Sequence, residues 1–256
     1  MTYCVAFQLD AGLVFASDSR TNAGVDYIST YSKMHVFQPA PDRLFVIMAA
    51  GNLGTTQAVL NRIRRDIDHP EVNATSATER PAHDLHSARY LFEVADYIGR
   101  VSVGVQSQFA TNLREAGATG EASFILGGQI AGQPHGLFMI YPQGNAIMAS
   151  NETPFLQIGE SKYGKPPLDL IGQTNLSLED CARLCLVSQI ITRRSNLTVG
   201  PPFEIAILPR DSLKISRRVT FPKGAPEISR TMDVWSRSMR DALQRMPRFA
   251  WEQDPL

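Results

Sequence analysis

The 256-residue chain has no apolar run long enough to cross a membrane as a helix. Its first residues carry neither a basic segment nor a long apolar stretch, so no signal peptide is expected and the chain reads as cytoplasmic. Cysteine is scarce. Cys4, Cys181 and Cys185 do not make a disulfide framework. Cys181 and Cys185 stand four apart in an apolar helical pattern, which fits buried small hydrophobes better than metal ligands. Histidine is equally thin at five residues, and no His/Cys spacing resembles a zinc site, so no metal and no cofactor is expected. Neither sign of charge is in excess: Lys+Arg and Asp+Glu are 25 each. That balance removes the global argument for a nucleic acid or an anionic membrane as partner. Local basic runs such as Arg62-Ile63-Arg64-Arg65 read as solvated helix faces. Nucleotide motifs are missing too. There is neither GxGxxG nor a P-loop, so any ATP dependence would lie in another protein. The serine-hydrolase elbow G-x-S-x-G is absent, and Ser161, the nearest candidate, has no paired His close in sequence.

What is present is the material for one large domain over residues 1–256, with 43% hydrophobic and 20% charged residues. Tyr3 to Leu9 and Leu13 to Ala16 are apolar, β-prone runs on either side of the turn signal Asp10-Ala11-Gly12. They predict a tight hairpin beginning almost at the first residue. A polar loop, Thr21 to Asp26, precedes short extended pieces at Tyr27 to Tyr31 and Lys33 to Phe37. Arg43 to Ala49 is a strongly apolar strand. Asn52 looks like the N-cap of a helix running to about Asp68, and residues 69–83 form a polar connection. A long helix is predicted from about Asp84 to Ala116, with an interruption near Val101 to Gly104. Strands return at 123–130, 136–141, 145–149 and 155–158. A short helix near Pro167 to Ile171 precedes a longer one from Leu178 to about Arg194. A strand pair at 204–208 and 213–219 and a final helical extension over about 226–246 close the chain. Strands and helix pairs in this order predict an α+β fold: two antiparallel sheets face to face with helices outside, a four-layer α-β-β-α sandwich.

Thr2 carries the first chemical candidate. Trimming Met1 would leave a hydroxyl nucleophile and a free α-amine on one residue. An amine with a pKa near ~8 suits a general base at neutral pH. A hairpin centred near residue 10 or 11 brings Thr2 opposite residues 18–20, beside Asp18. Lys33 begins a later strand, where a sheet neighbour would bring its ammonium close. The ammonium favours the neutral amine, and Asp18 holds the ammonium. The alternative is an Asp18 that ends a strand and a Lys33 at the surface. The strand running into Ala50-Gly51-Asn52 breaks directly into a helix. Its small residues and outward N–H groups suit an oxyanion hole, or form a tight turn and nothing more.

Taken together, these stretches resemble the proteasome β-subunit superfamily of N-terminal nucleophile (Ntn) hydrolases, with the best fit to the bacterial branch called Anbu, the ancestral β subunit. Thr2-Tyr3-Cys4-Val5, Leu13 to Asn22, Lys33 to Phe37, Ala50 to Gly54 and Arg194 to Gly200 carry the resemblance. It implies that Thr2 is nucleophile and base, with Asp18 and Lys33 completing the catalytic set. Ala50 and Gly51 match the oxyanion-hole position, with Ala where many members carry Gly. Met48 falls near the pocket for the first substrate side chain. Ser19, Arg20 and Thr21 would pair through the main chain with an extended peptide. The family's glycine-serine segment appears as Gly159-Glu160-Ser161, so its supporting serine matches Glu160, or Ser161 after a one-residue shift. The later supporting aspartate and serine fall at Ser195 and Thr198, and the aspartate is missing. The implied activity is that of a threonine peptidase in a homo-oligomeric ring or ring-like helical assembly. A small-amide amidase of the same nucleophile class and an inactive ring-forming subunit are the alternatives.

Overall fold

The computed structural model describes residues 1–22, 28–69 and 83–253. In chain order the strands are β1 (Tyr3–Leu9), β2 (Gly12–Asp18), β3 (Arg20–Asn22), β4 (Ile28–Thr30), β5 (Met34–Ala40), β6 (Arg43–Gly51), β7 (Ala122–Ile130), β8 (Gly136–Ile140), β9 (Ala146–Met148), β10 (Phe155–Gly159), β11 (Phe203–Pro209) and β12 (Arg217–Phe221). The helices are α1 (Leu53–Asp68), α2 (Leu91–Glu115), α3 (Lys165–Ile171), α4 (Leu178–Ser195) and α5 (Pro226–Gln244).

One five-stranded antiparallel sheet has the order β10-β1-β2-β11-β12, and a second has the order β5-β6-β7-β8-β9. Strands β3 and β4 make a separate ribbon. The central strands are apolar on both faces because both faces are covered. Along β1, Tyr3, Val5, Phe7 and Leu9 pack toward α4 with Cys181, Leu184 and Cys185. The alternate residues Cys4 and Ala6 join Phe15, Val46 and Met48 between the two sheets. On β6, Phe45 and Ile47 pack instead with Val59, Ile63 and Ile98 of α1 and α2. The period-two alternation therefore fills three apolar layers, and the result is the expected α-β-β-α sandwich.

The first hairpin has the predicted register. Cys4 lies opposite Ser17 and Leu9 opposite Gly12. The α2 helix differs from its prediction. It begins at Leu91, seven residues late, because Asp84 folds its own turn by accepting the N–H groups of His86 and Ser87. Glu93 then reaches back to the N–H of Tyr90 and starts the helix proper. Val101 to Gly104 does not interrupt it. Strand β12 begins at Arg217 rather than Leu213, because Asp211 and Leu213 take positive φ angles of 58° and 46° and keep that stretch in a turn. The connection expected over residues 69–83 and the loop before Ile28 fall largely outside the described residues. Helix α5 packs on α4 through Ile228 and Met232, and leaves Met239 and Leu243 exposed.

Phe15 has no exposure and sits between the sheets. Burying such a side chain contributes roughly 2–3 kcal/mol, and its removal leaves a cavity in addition. Phe15→Ala is expected to lower the unfolding free energy by about 3–5 kcal/mol in a urea titration. A loss near zero would contradict the inter-sheet packing.

Candidate active site

Thr2 is fixed from the strand that flanks it. Its carbonyl accepts the Glu160 N–H at 2.7 Å, just beyond the pairing of Tyr3 with Gly159. Gly159 has φ +83°, and a Cβ there would stand 1.9 Å from the Thr2 carbonyl oxygen. Only glycine permits this close clamp.

Asp18, at the end of β2, has no solvent exposure. Its Oδ1 accepts the Tyr3 N–H at 2.9 Å and the Lys33 ammonium at 2.6 Å. Its Oδ2 accepts the Gly200 N–H at 3.1 Å. Burial raises the Asp18 carboxyl pKa, while Lys33 and the two backbone donors pull it down. Lys33 is not a sheet neighbour of Asp18. It precedes β5 in the opposite sheet and spans the gap between the sheets. Its Nζ also donates to the Arg20 carbonyl at 2.7 Å. Its own carbonyl accepts the Ala49 N–H at 3.1 Å, which ties the same residue to the end of β6.

That bond sets the direction of the next amides. Main-chain groups alternate along a strand, so Ala49 and Gly51 face the Lys33 side while Ala50 faces β7. Of the pair singled out in the sequence, Gly51 presents its N–H toward the cleft and Ala50 does not. Gly51 has φ +116°, and a Cβ would stand 2.2 Å from the Glu121 carbonyl oxygen. Asn52 then caps α1, its Oδ1 accepting the Thr55 N–H at 3.1 Å.

A cleft of about 430 Å³ opens here, lined by Thr2, Thr21, Lys33 and Ala49 to Gly51 at one end. Beyond them lie Tyr31, His35 and the α1 residues Gln57, Leu60, Asn61 and Arg64. Sequence reasoning missed all of these. Arg64 stood in a run read as a solvated helix face, and nothing in the spacing ties it to His35. Met48 does not line the cleft. It is fully buried between the sheets, and its neighbour Ala49 takes the pocket position. Ser19 is buried too, its hydroxyl donating to Glu204 at 3.0 Å and its carbonyl accepting the Tyr31 N–H at 2.9 Å. The main chain of Arg20 is engaged by Gly200 and Lys33, and its guanidinium by the Leu197 carbonyl. Of the three residues expected to meet a peptide, Thr21 alone reaches the cleft.

Behind Thr2, Glu160 Oε2 accepts the Asn196 amide at 2.9 Å. Asn196 Oδ1 in turn accepts the N–H of Thr198 at 3.0 Å and its hydroxyl at 2.6 Å. Glu160 and Thr198 are thus joined through Asn196, which the sequence reading passed over. Ser195 is exposed at the end of α4 and stands outside this chain of bonds, and Ser161 bonds through its backbone. The Met1 amine feels the same surroundings. Burial, and then the Lys33 charge, hold its pKa below the ordinary range against the opposite pull of Asp18 and Glu160.

No protein-family model and no curated protein matches the chain. Solved structures do. Anbu from Pseudomonas aeruginosa, described as a helical assembly of the Anbu complex, is 39% identical over 99% of this chain and 100% of its own, with a TM-score of 0.86. A Gly-1 mutant of Anbu from Hyphomicrobium sp. strain MC1 is 37% identical over 97% of this chain and 99% of its own, at a TM-score of 0.86. Anbu, the ancestral β subunit, from Yersinia bercovieri is 36% identical over 97% and 99%, at a TM-score of 0.83. The sandwich and these likenesses put the chain in the proteasome-like Ntn family. Within it, the chain belongs to the Anbu branch.

The Lys33–Asp18 pair is buried at both ends, with side-chain exposures of 8% and 0%. Asp18→Asn keeps the shape and leaves the ammonium without its counter-ion. A loss of about 3–5 kcal/mol on chemical denaturation is expected, and unchanged stability would contradict this picture of the site.

Proposed function

We propose that the chain is a threonine peptidase of the proteasome type, active once Met1 is removed. The observation that carries the reading is the Lys33 ammonium, 2.6 Å from Asp18 and lining the same cleft as Thr2. An ammonium has three donors. Asp18 and Arg20 take two of them, which leaves one N–H for the Thr2 side of the cleft.

The chemistry follows from these placements. The freed Thr2 amine would sit near Lys33, whose charge favours the neutral, proton-accepting form. Thr2 Oγ attacks a peptide carbonyl as its proton passes to the amine. The Gly51 N–H meets the negative charge that develops on the carbonyl oxygen. Collapse breaks the peptide bond, the amine returns its proton to the leaving nitrogen, and an ester to Thr2 remains. Water, activated by the same amine, then releases the acyl half. Thr21 is the proposed contact with the peptide from this ribbon, through its side chain, since its main chain faces Ser29. Glu160, Asn196 and Thr198 position the backbone that carries the amine.

Self-assembly is proposed on separate support. The Pseudomonas aeruginosa relative is described as a helical assembly, and α5 here exposes Val234, Met239 and Leu243. If Met1 is retained, Thr2 has no free amine, and an inactive assembly-forming subunit is the reading that follows.

Thr2→Ala is expected to lower peptide hydrolysis by about a thousandfold or more and to abolish labelling by a threonine-directed epoxyketone. Undiminished turnover or labelling in this variant would refute the mechanism.

A further inference from the structure

The cleft beside Thr2 runs on along α1, and its lining changes character on the way. At the Gly51 end it is small and apolar, with Ala49 and Leu53. Farther along, Gln57, Asn61, Arg64 and His35 make it mostly polar around Leu60. Among the described residues two cations line it, Lys33 and Arg64, and no Asp or Glu does. Lys33 is neutralised by Asp18. Arg64 has no such counter-ion among the described residues. Its Nη1 donates to Asn61 Oδ1 at 3.0 Å and its Nη2 to His35 Nδ1 at 3.2 Å. Its guanidinium carbon lies 5.9 Å from the centre of the Phe37 ring.

All three partners are uncharged. His35 is neutral because burial, and then the Arg64 charge, push its pKa down to about 4. Its Nδ1 therefore accepts from Arg64. A guanidinium carries five N–H donors in a fixed plane. Two are engaged here, and the contacts from helix, strand and ring hold the plane in place. The charge is thus oriented in advance and uncompensated, at the polar end of a cleft that begins at the nucleophile. Planar donors of this kind suit a carboxylate.

We infer that this end of the cleft is a subsite for an acidic side chain, so that the preferred peptide has glutamate at the residue whose carbonyl Thr2 attacks. The placement of that carbonyl rests on the peptidase reading above. A residue with its carbonyl between Thr2 Oγ and the Gly51 N–H directs its side chain past Ala49 and Leu53 toward Arg64. Glutamate matches both parts of the lining, since its methylenes cross the apolar stretch and its carboxylate meets the guanidinium. Aspartate is one methylene shorter and ranks second.

The test separates binding from turnover. N-terminally labelled tripeptide amides ending in Glu, Gln, Leu or Lys are titrated by fluorescence anisotropy against Thr2→Ala. The Glu peptide is expected to bind about tenfold or more tighter than the Gln peptide, in proportion to one charge-assisted contact. The margin should shrink as salt rises. It should vanish in Thr2→Ala/Arg64→Met and turn in favour of Lys in Thr2→Ala/Arg64→Glu. Equal binding of Glu and Gln, a Glu preference that survives Arg64→Met, or no binding by any peptide overturns the subsite. A Glu preference depending on Arg64, together with no cleavage by the Met1-trimmed wild-type chain, upholds the subsite and sinks the peptidase reading.

Discussion

The ion pair between Lys33 and Asp18 joins the two sheets at the end where Thr2 lies. Taking two charges out of water is costly, and attraction repays the cost only when the remaining donors and acceptors are satisfied. Here they are satisfied by backbone. Asp18 accepts from Tyr3 and Gly200, and Lys33 donates to Arg20. The pair therefore fixes several chain segments along with two side chains. They are the start of β1, the turn from β2 into β3, the loop after α4 and the entry to β5. Through the carbonyl of Lys33 it also sets the end of β6, and so the direction of the Gly51 amide.

A further consequence is electrostatic. An amine at this N-terminus lies in the field of an ammonium that is itself held in place, and partial burial adds to the effect. Both influences favour the neutral amine, the form that can accept a proton. Among the described residues, the cleft that starts at the same point is positively charged overall, because Lys33 has a partner in Asp18 and Arg64 has only neutral ones. In the proposed function, reactivity and selectivity draw on two cations with opposite surroundings. One is buried against a carboxylate, and the other is left open to receive one.

Local pattern made much of this legible in the sequence. The Asp10-Ala11-Gly12 turn and its flanking apolar runs fix the register that brings Asp18 back to the start of the chain, because strand pairing about a short turn leaves little freedom. The order of strands and helices likewise contains the four layers. Contacts between layers were less legible. Lys33 was expected from a neighbouring strand and comes instead from the opposite sheet. Met48 and Ala49 exchange roles because a one-residue difference along a strand reverses the face. Asn196 lies in a stretch that carries the resemblance, but its role depends on how the loop after α4 meets Glu160, which local pattern does not show. The late start of α2 shows local side-chain bonding, by Asp84, overriding helical periodicity.

The central claim is that Thr2 becomes the first residue and works through its own amine. Intact-mass measurement of the purified chain, with N-terminal sequencing, tests it most directly. The predicted result is a species lighter than the full sequence by one methionine residue, with threonine at its N-terminus. A chain that keeps Met1 throughout, yet still cleaves peptides or takes up the epoxyketone, would contradict it.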